Sequence, residues 1–95
     1  MDASPLPAKP ELARRARMRF DATRDSHVLL LPERVVLLSE SAAEILGLCD
    51  GERSLDDIVA ELQSRYEEAP AADLRADVTD FLQEAKERKW LERET

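Results

Sequence analysis

Two short apolar runs, Val28-Leu29-Leu30-Leu31 and Val35-Val36-Leu37-Leu38, flank Pro32-Glu33 and constrain this chain more than any other feature. Proline pre-sets φ at about −65° for a tight turn, so the spacing predicts a hairpin with strands at 27–31 and 34–38. An antiparallel sheet with one solvated face alternates apolar and polar residues along each strand. These two strands do not alternate; they are apolar on both faces. Upstream, Arg17-Met18-Arg19-Phe20-Asp21 does alternate, which predicts a half-buried first strand over 17–21, and Thr23-Arg24-Asp25-Ser26 has turn chemistry.

After the hairpin only three modest helices can be written. Ser39 or Ser41 can cap a first helix in which Ala42, Ala43, Ile45, Leu46 and Cys49 recur at helical spacing until Asp50-Gly51 stops it. Ser54 with Asp57 makes a capping box, and Leu55, Ile58, Val59, Leu62 and Tyr66 form the stripe of a second helix over 55–66. Pro70 suits the first turn of a third, running to Arg88, with Leu74, Val78, Phe81, Leu82 and Ala85 on one face and Trp90-Leu91 folding back after it. Such helices cover one face of a sheet. With strand order 1-2-3, residues 34–38 end as an exposed apolar edge, a feature that soluble proteins ordinarily blunt. An unblunted edge suggests a partner; the alternatives are cover by the N-terminal tail, by Trp90-Leu91 or by a second copy of the chain.

Three of the five prolines fall in MDASPLPAKP, which has little apolar material to offset ordering, so residues 1–15 are expected to form a flexible tail and 16–95 a single domain. Residues 1–34 carry seven Lys and Arg against five Asp and Glu, a charge of +2. Residues 35–95 carry seven against sixteen, a charge of −9. That acidic balance, with only 4% aromatic residues, argues against nucleic acid. No stretch approaches a membrane span or the apolar region of a signal peptide, and a lone cysteine fits a reducing compartment, so the chain is expected to be cytoplasmic.

The chain is poor in groups for chemistry. Cys49 and His27 are each the single residue of their type, which leaves neither a zinc ligand set nor a Cys/His dyad; they read as a small core residue and an ordinary strand residue. Asp56, Asp57, Glu61, Glu67 and Glu68 read as the solvated side of an amphipathic helix. Two glycines in the whole chain allow no phosphate-cradling loop. No catalytic residue, metal site or cofactor is expected.

Over about residues 16–91 the ordered set Leu29-Leu30-Leu31-Pro32-Glu33-Arg34-Val35-Val36-Leu37-Leu38, Ser41-Ala42-Ala43-Glu44-Ile45-Leu46, Leu48-Cys49-Asp50-Gly51, Ser54-Leu55-Asp56-Asp57-Ile58-Val59, Arg65-Tyr66 and Asp77-Val78 with Phe81-Leu82 resembles the pyrroloquinoline quinone (PQQ) biosynthesis protein D (PqqD) family. Lys89 stands where that family commonly has a glycine. The resemblance implies an α+β, winged-helix-like fold: a three-stranded antiparallel sheet followed by a three-helix bundle. It implies a non-enzymatic peptide chaperone, a recognition element for ribosomally made, modified peptides (RiPPs). Such a protein binds the precursor peptide PqqA and presents it to the radical S-adenosylmethionine (SAM) enzyme PqqE, binding no quinone or iron-sulfur cluster itself. In that mode the peptide adds a strand to Arg34, Val35, Val36, Leu37 and Leu38. Leu74, Val78 and Leu82 line a groove on the third helix, and Arg75 and Lys86 meet acidic side chains of the peptide. The rivals from other classes are a winged-helix DNA-binding domain, disfavoured by the acidic second helix, and a self-associating module closed by a weak homodimer.

Overall fold

The computed structural model describes residues 6–92. Strands β1 (Arg17–Asp21), β2 (Ser26–Leu30) and β3 (Val35–Leu38) precede helices α1 (Glu40–Gly47), α2 (Leu55–Arg65) and α3 (Ala71–Glu87). The sheet is antiparallel in the order β1-β2-β3, as the sequence predicts. The β1–β2 turn is built on Asp21, whose carboxylate accepts the N–H groups of Thr23 (3.0 Å) and Arg24 (3.4 Å). Leu31 and Arg34 exchange N–H···O=C bonds of 2.9 and 3.3 Å around Pro32-Glu33, closing the hairpin with a two-residue loop.

Side chains alternate across a strand, so the register divides the sheet into two faces. Met18, Leu29, Val36 and Leu38 share the inner face; Leu29 is wholly buried and Leu38 nearly so. Arg17, Arg19, Val28, Leu30, Val35 and Leu37 share the outer face. The helices pack on the inner face alone, where Leu29 and Leu46 meet Ile58, Leu62, Val78, Leu82 and Ala85 in one core.

Each helix begins where its caps dictate. Ser39 Oγ accepts the Ala42 N–H at 3.2 Å at the start of α1. At α2 both halves of the capping box are present: Ser54 Oγ accepts from Asp57 N–H (3.1 Å) and the Asp57 carboxylate from Ser54 N–H (3.0 Å). Pro70 occupies the cap position of α3, one residue earlier than a first-turn proline, because its carbonyl accepts the first helical bond, from Leu74 N–H. Beyond α2, the Tyr66 hydroxyl donates to Glu44 of α1, which also pairs with Arg65 at 3.2 Å. The carboxylate holds the phenol proton and so raises the Tyr66 pKa.

The end of α3 turns back as anticipated. Trp90 N–H donates to Ala85 O (2.9 Å) and Lys89 N–H to Lys86 O (3.0 Å), the paired bonds of a Schellman cap, with Lys89 in the left-handed region at φ 66°. Glycine adopts that conformation without the steric penalty a side chain carries.

Residues 10–14 depart from the expected tail. Pro10 is fully buried, and its carbonyl accepts the Gly51 N–H at 3.0 Å. Leu12 N–H donates to Cys49 O (3.2 Å), Ala13 N–H to Trp90 O (2.7 Å), and Glu92 N–H to Glu11 O (2.7 Å). Isolated bridges pair Glu11 with Asp50 and Leu12 with Leu91. The segment is a strap between the α1–α2 loop and the C-terminal turn, where the sequence predicts a flexible tail. The first five residues of the expected tail lie outside the described residues.

Candidate functional site

Both outer strands of the sheet have an unpaired edge among the described residues, and they differ in chemistry. β1 carries Arg17, Arg19 and Asp21, the charges that ordinarily keep an edge from templating another strand. β3 reads Val-Val-Leu-Leu and carries none. It is the edge without protection.

Its hydrogen-bonding phase follows from the hairpin. In an antiparallel ladder, pairs that exchange both N–H···O=C bonds alternate with pairs that exchange neither. Leu31 and Arg34 are a bonded pair. Leu30 and Val35 are then non-bonded, Leu29 and Val36 bonded, and Val28 and Leu37 non-bonded. The N–H and C=O groups of Arg34 and Val36 therefore turn toward β2, and those of Val35 and Leu37 turn toward the open edge. The side chains of the same two residues lie on the outer face, 54% and 59% exposed. Val36 is half-buried against the core and Leu38 is buried. The edge thus offers two main-chain donor and acceptor pairs set two residues apart.

The residues expected on α3 divide differently. Val78 and Leu82 are 1% and 0% exposed, so they present no surface to a peptide; these two members of the apolar stripe lie in the core. Leu74 and Lys86 are half-buried. Arg75 is exposed and paired with Asp56 of α2. Sequence reading missed the parity of β3, which depends on the bonded pair that closes the loop and has no signature in residue type.

The groups with chemical potential elsewhere are quiet. Cys49 is buried, its thiol donates to Ile45 O at 3.3 Å, and burial beside Asp50 pushes its pKa up to about 12. A thiol so protonated is no nucleophile near neutral pH. His27 packs edge-on to Phe20 with ring centroids 5.1 Å apart. Asp50 accepts the N–H groups of Glu52 (2.9 Å) and Arg53 (3.1 Å), and these bonds lower its pKa. Among the described residues no three His, Cys, Asp or Glu come together as a metal site, and no helix is long and apolar enough to cross a membrane.

Comparison with known proteins places this arrangement. The family described as Coenzyme PQQ synthesis protein D (PqqD) matches residues 26–91. A protein of Azotobacter vinelandii named PqqA binding protein is 45% identical over 83 residues, 87% of this chain and 88% of the relative. One of Pseudomonas paraeruginosa with the same name is 42% identical over 92 residues, 97% of this chain and 98% of the relative. Among solved structures, the solution structure of the PqqD truncation of Methylobacterium extorquens PqqCD, described as a stand-alone RiPP recognition element, superposes with a TM-score of 0.79. It is 35% identical and covers 98% of this chain and 100% of its own. The crystal structure of PqqD from Xanthomonas campestris gives 0.56 at 30% identity, covering 95% and 96%. A three-stranded antiparallel sheet followed by three helices, an edge strand bare of charge and close relatives spanning nearly the whole chain agree: this chain belongs to the PqqD family.

Proposed function

We propose that this protein is a non-catalytic chaperone that binds the precursor peptide PqqA as a strand added to β3 and presents it to the radical SAM enzyme PqqE in the cytoplasm. The observation that carries this reading is the uncharged edge of β3, with the main-chain groups of Val35 and Leu37 turned outward. Strand addition takes its affinity from such groups and its specificity from neighbouring side chains. The names of the relatives, PqqA binding protein, support the choice of peptide.

On this reading Arg34 to Leu38 receive the peptide backbone. Leu74 borders the groove while Val78 and Leu82 support it from the core, and Lys86 faces acidic side chains. Arg75 meets a peptide carboxylate only by exchanging it for Asp56. No quinone or iron-sulfur cluster is held by this chain. The same bare edge pairs weakly with a second copy when peptide is absent. A DNA-binding reading is disfavoured, because α2 sets Asp56, Asp57 and Glu61 against Arg65.

The test is titration of labelled PqqA into the purified protein and into Leu37→Pro. Binding by the parent and its loss in the variant are expected; equal affinity would exclude β3 as the edge.

A further inference from the structure

The outer face beside β3 is apolar ground that the helices do not use. Val35 and Leu37 are 54% and 59% exposed there. Behind them the register sets Leu30 level with Val35 and Val28 level with Leu37, and only at β1 do Arg17 and Arg19 end the apolar strip. The two residues that turn their main-chain groups to the open edge are the same two that turn their side chains to this face.

From this coincidence we infer that the docking edge has two apolar walls, and that the peptide segment it takes carries three consecutive apolar residues rather than an alternating pattern. The inference rests on the strand-addition reading above and specifies its ligand. In an added strand, parallel or antiparallel, side chains level with Val35 and Leu37 fall on the outer face, and the one level with Val36 falls on the inner face. Directly opposed side chains are the unit of sheet stabilisation. Polar side chains level with Val35 and Leu37 would leave their aliphatic surface half-covered with no apolar partner. A polar one level with Val36 would lie beside the half-buried margin of the core. Both walls therefore select apolar side chains, and the segment reads as a run, as β3 itself does. Val35 and Leu37 act as specificity residues through side chains that lie outside the helix-packed core.

The double variant Val35→Thr with Leu37→Thr keeps both outward N–H groups and sets a β-branched, strand-favouring residue at each position while removing aliphatic surface. Circular dichroism and melting should match the parent, and the Kd for labelled PqqA should rise about fivefold to twentyfold. Substituting the residues of PqqA one at a time by serine should weaken binding at three adjacent positions. Parental affinity in the double variant, or sensitivity only at every second peptide position, would overturn the outer wall. Leu37→Pro separates the two levels: if it too binds as the parent, strand addition itself has failed. If it binds poorly while the threonine variant binds normally, the edge stands and the outer wall alone is wrong.

Discussion

The Ala13 N–H donates to the Trp90 carbonyl at 2.7 Å, joining the N-terminal strap to the residue that ends the C-terminal turn. Trp90 is itself buried and packs at a tilt against Phe81, ring centroids 6.4 Å apart, with the Arg88 guanidinium 5.6 Å from the centre of its ring. The strap thus holds in place the turn that carries a large part of the aromatic core.

Truncation reads the strength of this link. Deleting residues 1–14 removes the main-chain bonds made by Pro10, Glu11, Leu12 and Ala13, each worth roughly 0.5–1.5 kcal/mol. Stability should fall by about 2–6 kcal/mol, and the melting temperature by about 10 °C or more. Deleting residues 1–9 gives up the partial burial of Leu6, about 1 kcal/mol, and leaves the bonds of Pro10 to Ala13 in place. Equal melting of the two truncations would show the strap to be dispensable.

Proline substitution along β3 should sort by parity. Val36→Pro removes a donor that points to Leu29 and should unfold much of the sheet, seen as lost ellipticity. Val35→Pro and Leu37→Pro remove donors that point to the open edge and should leave folded domains that bind PqqA about tenfold or more weakly. The reverse order would place the bonded pairs one residue out of register.

Lys89 is a side chain in a glycine conformation. At φ 66° a non-glycine residue costs roughly 1–2 kcal/mol, against a smaller entropic penalty for glycine in the unfolded chain. Lys89→Gly should therefore raise stability by about 1 kcal/mol, a gain of about 4–8 °C in melting temperature. An unchanged or lower melting point would mean that the Lys89 side chain contributes more than its backbone costs.

Cys49 supplies a test of pH dependence. Burial raises its pKa from an ordinary 9.0 to about 12, so the fold favours the neutral thiol. That preference contributes fully below pH 9 and is lost as the pH climbs from 9 toward 12. At pH 8 a disulfide reagent should leave native Cys49 unmodified over hours and modify it at once in denaturant. Rapid modification of the native protein would contradict its burial.

What could be read from sequence follows from which interactions involve side chains. The hairpin, the Ser54–Asp57 capping box, the order of the strands and the bare edge were legible because each is written in residue type: Pro32, a Ser and Asp three apart, alternation on β1 and its absence on β3. The strap was not, because the bonds of Glu11, Leu12 and Ala13 are main-chain bonds to residues far along the chain, in isolated bridges without periodicity. Val78 and Leu82 show a different limit. Their spacing identifies an apolar stripe on α3, but a stripe does not say whether the core or a ligand covers it, and the core takes both.

The Glu92 N–H···O=C Glu11 bond sets two residues near opposite ends of the described chain side by side, so that chain is almost a closed ring. A covalent link made across this pair would be short and would not have to cross the sheet. Such a link lets the domain be opened elsewhere by circular permutation, with the strand pairing unchanged. In such a rearranged chain the contact of Glu11 with Glu92 becomes an internal connection, and the sheet and helices keep their neighbours.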